Sequence, residues 1–193
     1  MKLSVVGYPR IGTLRELKFA SEVYFKHAIE QTELKQAANR LRKTHWKTQL
    51  EHGIEFIPSN DFSFYDTTLD TAVLLNIIPA RYQKLGLSPL DTYFAMARGY
   101  QGENGDVKAL AMKKWFHTNY HYIVPELDDE AEIRLCGTKA FDEYLEAKEL
   151  GIETKPVILG AFTLLKLLKF SGNRKQKDVI DDMVIAYMDI LTK

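Results

Sequence analysis

One cysteine, Cys136, in 193 residues rules out an internal disulfide, so cohesion has to come from a packed core. Neither sign of charge is in excess. The 26 basic and 26 acidic residues cancel, which leaves no electrostatic footprint for nucleic acid and no polybasic contact for a membrane surface. No apolar run approaches the length of a membrane-spanning helix. The opening Met1-Lys2-Leu3-Ser4-Val5-Val6-Gly7 is too short for a signal sequence, and Tyr8-Pro9-Arg10 interrupts it. Low-complexity segments and residue-level repeats are lacking as well. With 46% hydrophobic and 27% charged residues, the chain has the composition of a soluble globular domain with a sizeable core, compatible with the cytoplasm.

What is present is an alternation of short β-branched runs with long amphipathic stretches. Residues 3–6, 54–57, 120–124 and 157–159 read as strands, each short and apolar as buried parallel strands are. Thr13 followed by Glu16 reads as a capping box opening a helix to about residue 27. Thr32 is placed as the cap of the next helix, with Leu34, Ala37, Ala38, Leu41 and Trp46 at roughly helical spacing and Gly53 closing it. Ser88-Pro89 opens a helix to about residue 97. A helix over residues 139–150 ends at Gly151, and a last one spans about residues 174–191. Residues 101–106, with two glycines and an asparagine, read as a loop. Strand-then-helix units imply a parallel sheet with right-handed crossovers. Four of them fit half of an eight-fold (β/α) barrel or a doubly wound open sheet equally well.

The richest stretch is Lys114-Trp115-Phe116-His117-Thr118-Asn119-Tyr120-His121-Tyr122-Ile123-Val124-Pro125-Glu126. It sets four aromatics, two histidines, a lysine, an asparagine and a carboxylate around one short strand, more polar groups than a plain core strand needs. Gly7-Tyr8-Pro9-Arg10-Ile11-Gly12, Arg15-Glu16-Leu17-Lys18 and Ile57-Pro58-Ser59-Asn60-Asp61-Phe62 precede it. Together these motifs closely resemble the amino-terminal domain of cobalamin-independent methionine synthase, over nearly the whole chain and in the family's order. The resemblance selects the α/β fold of (β/α) TIM-barrel type, with about half a barrel, four βα units, present. Residues 1–193 would then be the first part of the amino-terminal barrel domain of a longer protein, with the catalytic carboxyl-terminal barrel absent. The chain's stop after a helix and the two open edges of a half barrel fit that expectation.

The family moves a methyl group from 5-methyltetrahydropteroyltriglutamate to homocysteine, making methionine. The resemblance implies that Arg15, Glu16, Leu17 and Lys18, with Lys114 and Asn119, contact the folate polyglutamate. Chemistry agrees for the cations: positive side chains at a helix start favour carboxylates, a lysine offers a point charge, and an asparagine both donates and accepts. Blander roles suit the same residues, since Glu16 completes a capping box and Arg15, Lys18 and Lys114 are ordinary solvated cations. On the strand reading, Tyr8-Pro9-Arg10, Pro58-Ser59-Asn60-Asp61, Pro125-Glu126 and Gly160 all follow strands, on the functional face of a barrel. His117 stands where relatives carry aspartate or asparagine, and Gly160-Ala161 where they read Gly-Pro.

The resemblance places the family's catalytic zinc, held by histidine, cysteine and acidic ligands, in the carboxyl-terminal domain, so no catalytic residue and no metal ligand are expected here. His117 and His121 are read as extended chain, where four residues span roughly 13 Å, too far for two nitrogens on one zinc. His27, His45 and His52 read as surface residues. Cys136 reads as a buried or half-buried small residue. The expected partners are the folate substrate, the carboxyl-terminal catalytic barrel and, for the isolated half barrel, a second copy in a homodimer; neither nucleic acid nor membrane is expected. Two rival functions remain. One is a binding module that kept this domain without the chemistry. The other is a small barrel-type hydrolase using Asp61, Asp66 or Glu126, where the blander role of the two aspartates is to cap or brace the following helix.

Overall fold

Asp66 and Ser88 each accept from an amide in the first turn of the helix that follows, and Pro89 brings no N–H that needs a partner. The computed structural model describes residues 2–193 as a mixed α/β chain with short strands. In chain order, α1 (Glu16–Phe25) and α2 (Gln31–Glu51) lead to β1 (Ile57–Ser59). Then come α3 (Thr67–Leu74), α4 (Ala80–Gln83) and α5 (Pro89–Arg98), followed by β2 (Tyr100–Gly102), β3 (Gly105–Val107), β4 (Met112–Lys114), β5 (His121–Ile123) and β6 (Glu126–Leu127). The chain closes with α6 (Lys139–Lys148), β7 (Thr154–Pro156), α7 (Ala161–Leu167), β8 (Lys169–Phe170), a 3-10 turn at Gln176–Val179 and α8 (Ile180–Thr192). It divides into two compact units, Met1–Phe64 with Thr138–Ile158, and Tyr65–Gly137 with Leu159–Lys193.

In the first unit, β1 pairs in parallel with β7, and Ser4 bridges Phe56 in the same sense. The core here is Trp46, Ile57, Ala147 and Ile152, with Ile54 and Leu150 packed on it. Trp46 is buried whole because its indole N–H has a partner, the Pro58 carbonyl at 3.0 Å. A second cluster joins α1 to α2 through Leu17, Ala38, Leu41 and Phe62. The exit of β1 is held by polar groups. Asn60 sits at φ 59°, a left-handed conformation that asparagine tolerates. Its amide N–H donates to the Glu143 carboxylate (3.0 Å), and its Nδ2 donates to the Val157 carbonyl (2.9 Å). Its Oδ1 accepts from Lys139 Nζ (2.9 Å), which also donates to the Phe62 carbonyl (2.7 Å) and pairs with Glu143 (3.1 Å). Lys139 and Glu143 open α6 one turn apart, so a single helix face supplies both charges.

In the second unit, β2–β3 and β4–β5 are antiparallel hairpins, and β6 pairs in parallel with β8. Asp66 caps α3 by accepting from the Leu69 amide (2.9 Å), and the same Oδ2 accepts from Ile123 of β5 (3.1 Å). Ser88 caps α5 through the Asp91 amide, with Pro89 in the first turn. Tyr82 is fully enclosed, and its hydroxyl donates to the Lys108 carbonyl at 2.7 Å. Val179, which ends the 3-10 turn, and Met183, Ala186 and Ile190 of α8 are buried, while Ile180, Val184, Met188 and Leu191 are exposed.

Several expectations change. The fold class is α/β with short parallel strands, and among the described residues no sheet closes into a barrel. Residues 3–6 form only the Ser4 bridge, and the pairing expected at 157–159 falls at Thr154–Pro156. Residues 120–124 become one arm of an antiparallel hairpin rather than a parallel strand. Residues 101–106 are a hairpin too: Glu103 and Asn104 make the two-residue turn, and Asn104 Nδ2 donates to the Leu85 carbonyl. The Thr13–Glu16 capping box does not form. Arg15 at φ 65° precedes α1, and the Glu16 carboxylate accepts instead from Leu14 N (3.0 Å). The second helix starts one residue before Thr32, with Glu33 accepting from the Glu30 amide (3.0 Å). Gly53 and Gly151 follow α2 and α6 at φ 75° and 73°, where a side chain would strain the turn.

Two outcomes follow from these contacts. Lys139→Met removes the charge and keeps the stem, leaving Glu143 buried. It is expected to lower unfolding free energy by about 2–4 kcal/mol, below the cost of breaking a fully sealed pair because Lys139 is partly exposed. Urea unfolding at unchanged m-value measures it, and no shift in midpoint would show the network carries no stability. Burial pushes the Asp66 carboxyl up to about 6, against the opposing amide hydrogen bonds from Leu69 and Ile123. The folded state therefore holds the proton more tightly than the unfolded one. That contribution is fully present at low pH and is lost as pH rises from about 4 to 6, on the order of 1–3 kcal/mol. Asp66→Asn keeps a capping oxygen and should flatten stability across that window. An unchanged slope would contradict the assignment.

Candidate functional site

The loop over residues 7–18 collects most of the first unit's exposed chemistry. Gly7 approaches Asp61 so closely that a Cβ there would touch the carboxylate at 3.5 Å. The Asp61 Oδ2 accepts from the Tyr8 amide at 2.7 Å. Arg10 Nη1 donates to the Ser63 and Phe64 carbonyls, both at 2.9 Å. The Tyr8 ring stacks on His45 with centroids 4.5 Å apart. Gly12 turns at φ 84°, and a Cβ there would collide with the Glu16 carboxylate, so only glycine suits the turn. The Gly12 carbonyl then accepts from Arg15 N, and the Ile11 carbonyl from Leu17 N, both at 3.1 Å.

This folding assigns the motif residues different tasks. Arg15 is exposed in the left-handed region just before α1. Lys18 is half-buried, with its ammonium 3.5 Å from Glu22 and 5.9 Å from the Phe19 ring centre. Both cations stand in the first turn, where helix amides favour anions. Glu16 is exposed and spends one oxygen on Leu14 N. Leu17 is buried in the core, 1% exposed, so a ligand can meet it only through its backbone.

Lys114 and Asn119 belong to the second unit and form a separate candidate site. Lys114 ends β4 opposite His121 of β5, and Asn119 lies in the connecting turn; both are exposed. Trp115 N donates to the Tyr120 carbonyl, and Thr118 donates twice to the Trp115 carbonyl. Phe116 and His117 are left-handed, at φ 46° and 64°. The tip is therefore a tight turn and not the extended chain expected between His117 and His121. Phe116 and Tyr120 are 84% and 78% exposed, an unusual aromatic rim beside Lys114.

The carboxylates proposed for hydrolysis are all engaged. Asp61 holds the first loop instead of capping a helix; burial pushes its carboxyl up, opposed by the Tyr8 amide and by Lys139. Asp66 caps α3. Burial would raise the Glu126 carboxyl as well, but Arg81 and Lys169 bond to it and hold it below its ordinary range. His45 is buried, contrary to the surface reading, and burial lowers its pKa, opposed by Glu16. Cys136 is exposed and not buried. Among the described residues no three histidine, cysteine or acidic side chains come close enough to hold a metal, so the zinc centre implied by the resemblance has no fit in these residues. No helix among them is long and apolar enough to cross a membrane.

The sequence left unread the Asp61–Tyr8 bond, the Arg10 fork, the Tyr8–His45 stack and the Lys139 network. Only the last had a signal, the Lys139/Glu143 spacing at a helix start.

Comparison with known proteins agrees with the motifs. Residues 2–193 match the family model described as cobalamin-independent synthase, N-terminal domain. A 5-methyltetrahydropteroyltriglutamate–homocysteine methyltransferase of Campylobacter jejuni subsp. doylei is 58% identical over all 193 residues, and one of Streptococcus sanguinis is 52% identical. The chain spans 26% of the length of each of these relatives. A match that runs from residue 2 to the last residue places the chain in the family: it belongs to the cobalamin-independent synthases, as their N-terminal domain.

Proposed function

We propose that this chain is the amino-terminal, folate-polyglutamate-binding part of a methyltransferase that passes a methyl group from 5-methyltetrahydropteroyltriglutamate to homocysteine, yielding methionine. The observation that carries the reading is the pair Arg15 and Lys18 at the first turn of α1, standing at the end of a loop pinned by Asp61 and Arg10. A polyglutamate tail is a chain of carboxylates, and a helix start with two cations suits it. Lys114 and Asn119, exposed on the β4–β5 hairpin of the second unit, would by themselves offer a point charge and an amide to a folate polyglutamate. The relatives' names, which specify a triglutamate, favour the same substrate class.

On this reading residues 1–193 are the first part of an amino-terminal (β/α) barrel. The parallel pairings β1–β7 and β6–β8 and the Ser4–Phe56 bridge would be pieces of its first half, four βα units. The transfer itself would belong to the carboxyl-terminal barrel, the chain's main partner in a cytoplasmic enzyme, and this chain alone would not turn over homocysteine. The described residues offer zinc no ligand set.

In the full-length protein, Lys18→Ala is expected to weaken triglutamate binding by about 1.4–5-fold, the range of one exposed ion pair. The monoglutamate should lose less, and the difference should shrink as salt rises. Titration of both substrates at low and high salt measures this. An equal loss for both tail lengths would assign Lys18 to fold or pterin contact. Separately, the isolated chain is expected to self-associate through the exposed Phe162, Ile180, Val184, Met188 and Leu191. Sedimentation should show mass rising across micromolar concentrations, and Val184→Glu should reduce it. A concentration-independent monomer would contradict the idea.

A further inference from the structure

We infer that Asp61 is a positioning residue that holds the loop of residues 8–12, and through it Arg15 and Lys18, in the geometry that receives the tail carboxylates. The inference rests on the proposed reading of those two cations. Asp61 touches neither of them. It acts on the backbone that leads to them, by accepting the Tyr8 amide at 2.7 Å. Only Pro9, Arg10 and Ile11 separate that anchor from the Gly12 turn. Pro9 fixes its own φ, and Arg10 is tied to the Ser63 and Phe64 carbonyls, two and three residues after Asp61. From Ile11 and Gly12 the next hydrogen bonds run to Leu17 N and Arg15 N. The path from the carboxylate to the cations is therefore short and bonded at each step.

Asp61 has its own footing. It follows Asn60, whose left-handed backbone is held by Glu143 at the amide and whose side chain is held by Lys139. The carboxylate thus presents an acceptor from a rigid support, as a residue that sets geometry must. Gly7 lies beside it at van der Waals distance, a Cβ there meeting the Asp61 carboxylate at 3.5 Å. Leu17, buried between α1 and α2, fixes the other end of the loop. Arg15 stands between these two fixed ends, outside the helix proper and in a left-handed conformation. A residue so placed keeps its direction only while both ends hold.

The test compares Asp61→Ala, Asp61→Asn, Arg10→Gln and Lys18→Ala in the full-length protein, titrated with methyltetrahydropteroyl monoglutamate and triglutamate. Asp61→Ala removes the acceptor and should lower triglutamate affinity by about 2–30-fold, the combined range of two exposed ion pairs, with a smaller loss for the monoglutamate. Asp61→Asn keeps an oxygen for the Tyr8 amide and should restore tail-length preference to near the wild-type value, which a purely charge-based role would not allow. Arg10→Gln cuts the other anchor of the same segment and should show the same selective loss, so the question stays open to test if Asp61→Ala folds poorly. Equal losses for both tail lengths, or preserved preference in Asp61→Ala and Arg10→Gln while Lys18→Ala loses it, would overturn the positioning role and leave the tail site standing. Unchanged preference in Lys18→Ala would overturn the tail site itself and this inference with it.

Discussion

The lysine ammonium of Lys139, enclosed by the Asn60 amide oxygen, the Phe62 carbonyl and the Glu143 carboxylate, governs the rest of the first unit. A buried carboxylate is costly unless it is paired and hydrogen-bonded. Glu143, 4% exposed, meets that condition through Lys139 and the Asn60 amide, with Arg42 3.9 Å away. The arrangement forces Asn60 into a left-handed turn at the end of β1 and joins it to α6 and to Val157 just past β7. The backbone after β1 is thereby aimed at the loop that carries Tyr8 and Arg10. Removing any one member leaves another buried polar group unmatched, and for that reason such networks behave as units.

From that frame the candidate site follows by short-range constraints. The carboxylate of Asp61 fixes the amide of Tyr8, and Gly12 turns the chain. Leucine 17 enters the core, while Arg15 and Lys18 stay near the solvent. The motif therefore mixes roles within four consecutive residues: one core side chain, one local acceptor and two cations. The hairpin carrying Lys114 and Asn119 is built differently. Two left-handed residues, Phe116 and His117, tighten its tip, and such conformations cost on the order of 1–3 kcal/mol each and persist only where the surroundings enforce them.

Much of this was legible where chemistry is local. Ser88-Pro89 marks the start of α5, the glycines at 53 and 151 follow helix ends, and of the apolar positions read on α2, Leu34, Ala38, Leu41 and Trp46 are buried and Ala37 is half-buried. The family was legible too, because its motifs are specific in residue type and order. Strands were less so. Pairings of two or three residues are too short to carry a period, and so 157–159 was displaced to Thr154–Pro156. The β2–β3 hairpin read as a loop because its arms are polar and exposed. Thr13 and Glu16 have the capping-box spacing, but the Gly12 turn places Arg15 in the left-handed region and gives Glu16 the Leu14 amide instead. His45 is polar and lies in a charged helix, while the Tyr8 ring that stacks on it is distant in sequence.

We propose that the loop ending at α1 receives the carboxylates of a folate tail. A crystal structure of the full-length protein with 5-methyltetrahydropteroyltriglutamate bound tests it most directly. The expected result is a tail carboxylate within about 4 Å, ion-pair distance, of Arg15 or Lys18, with the Asp61–Tyr8 bond intact. A tail that runs elsewhere while both cations remain facing water would contradict it.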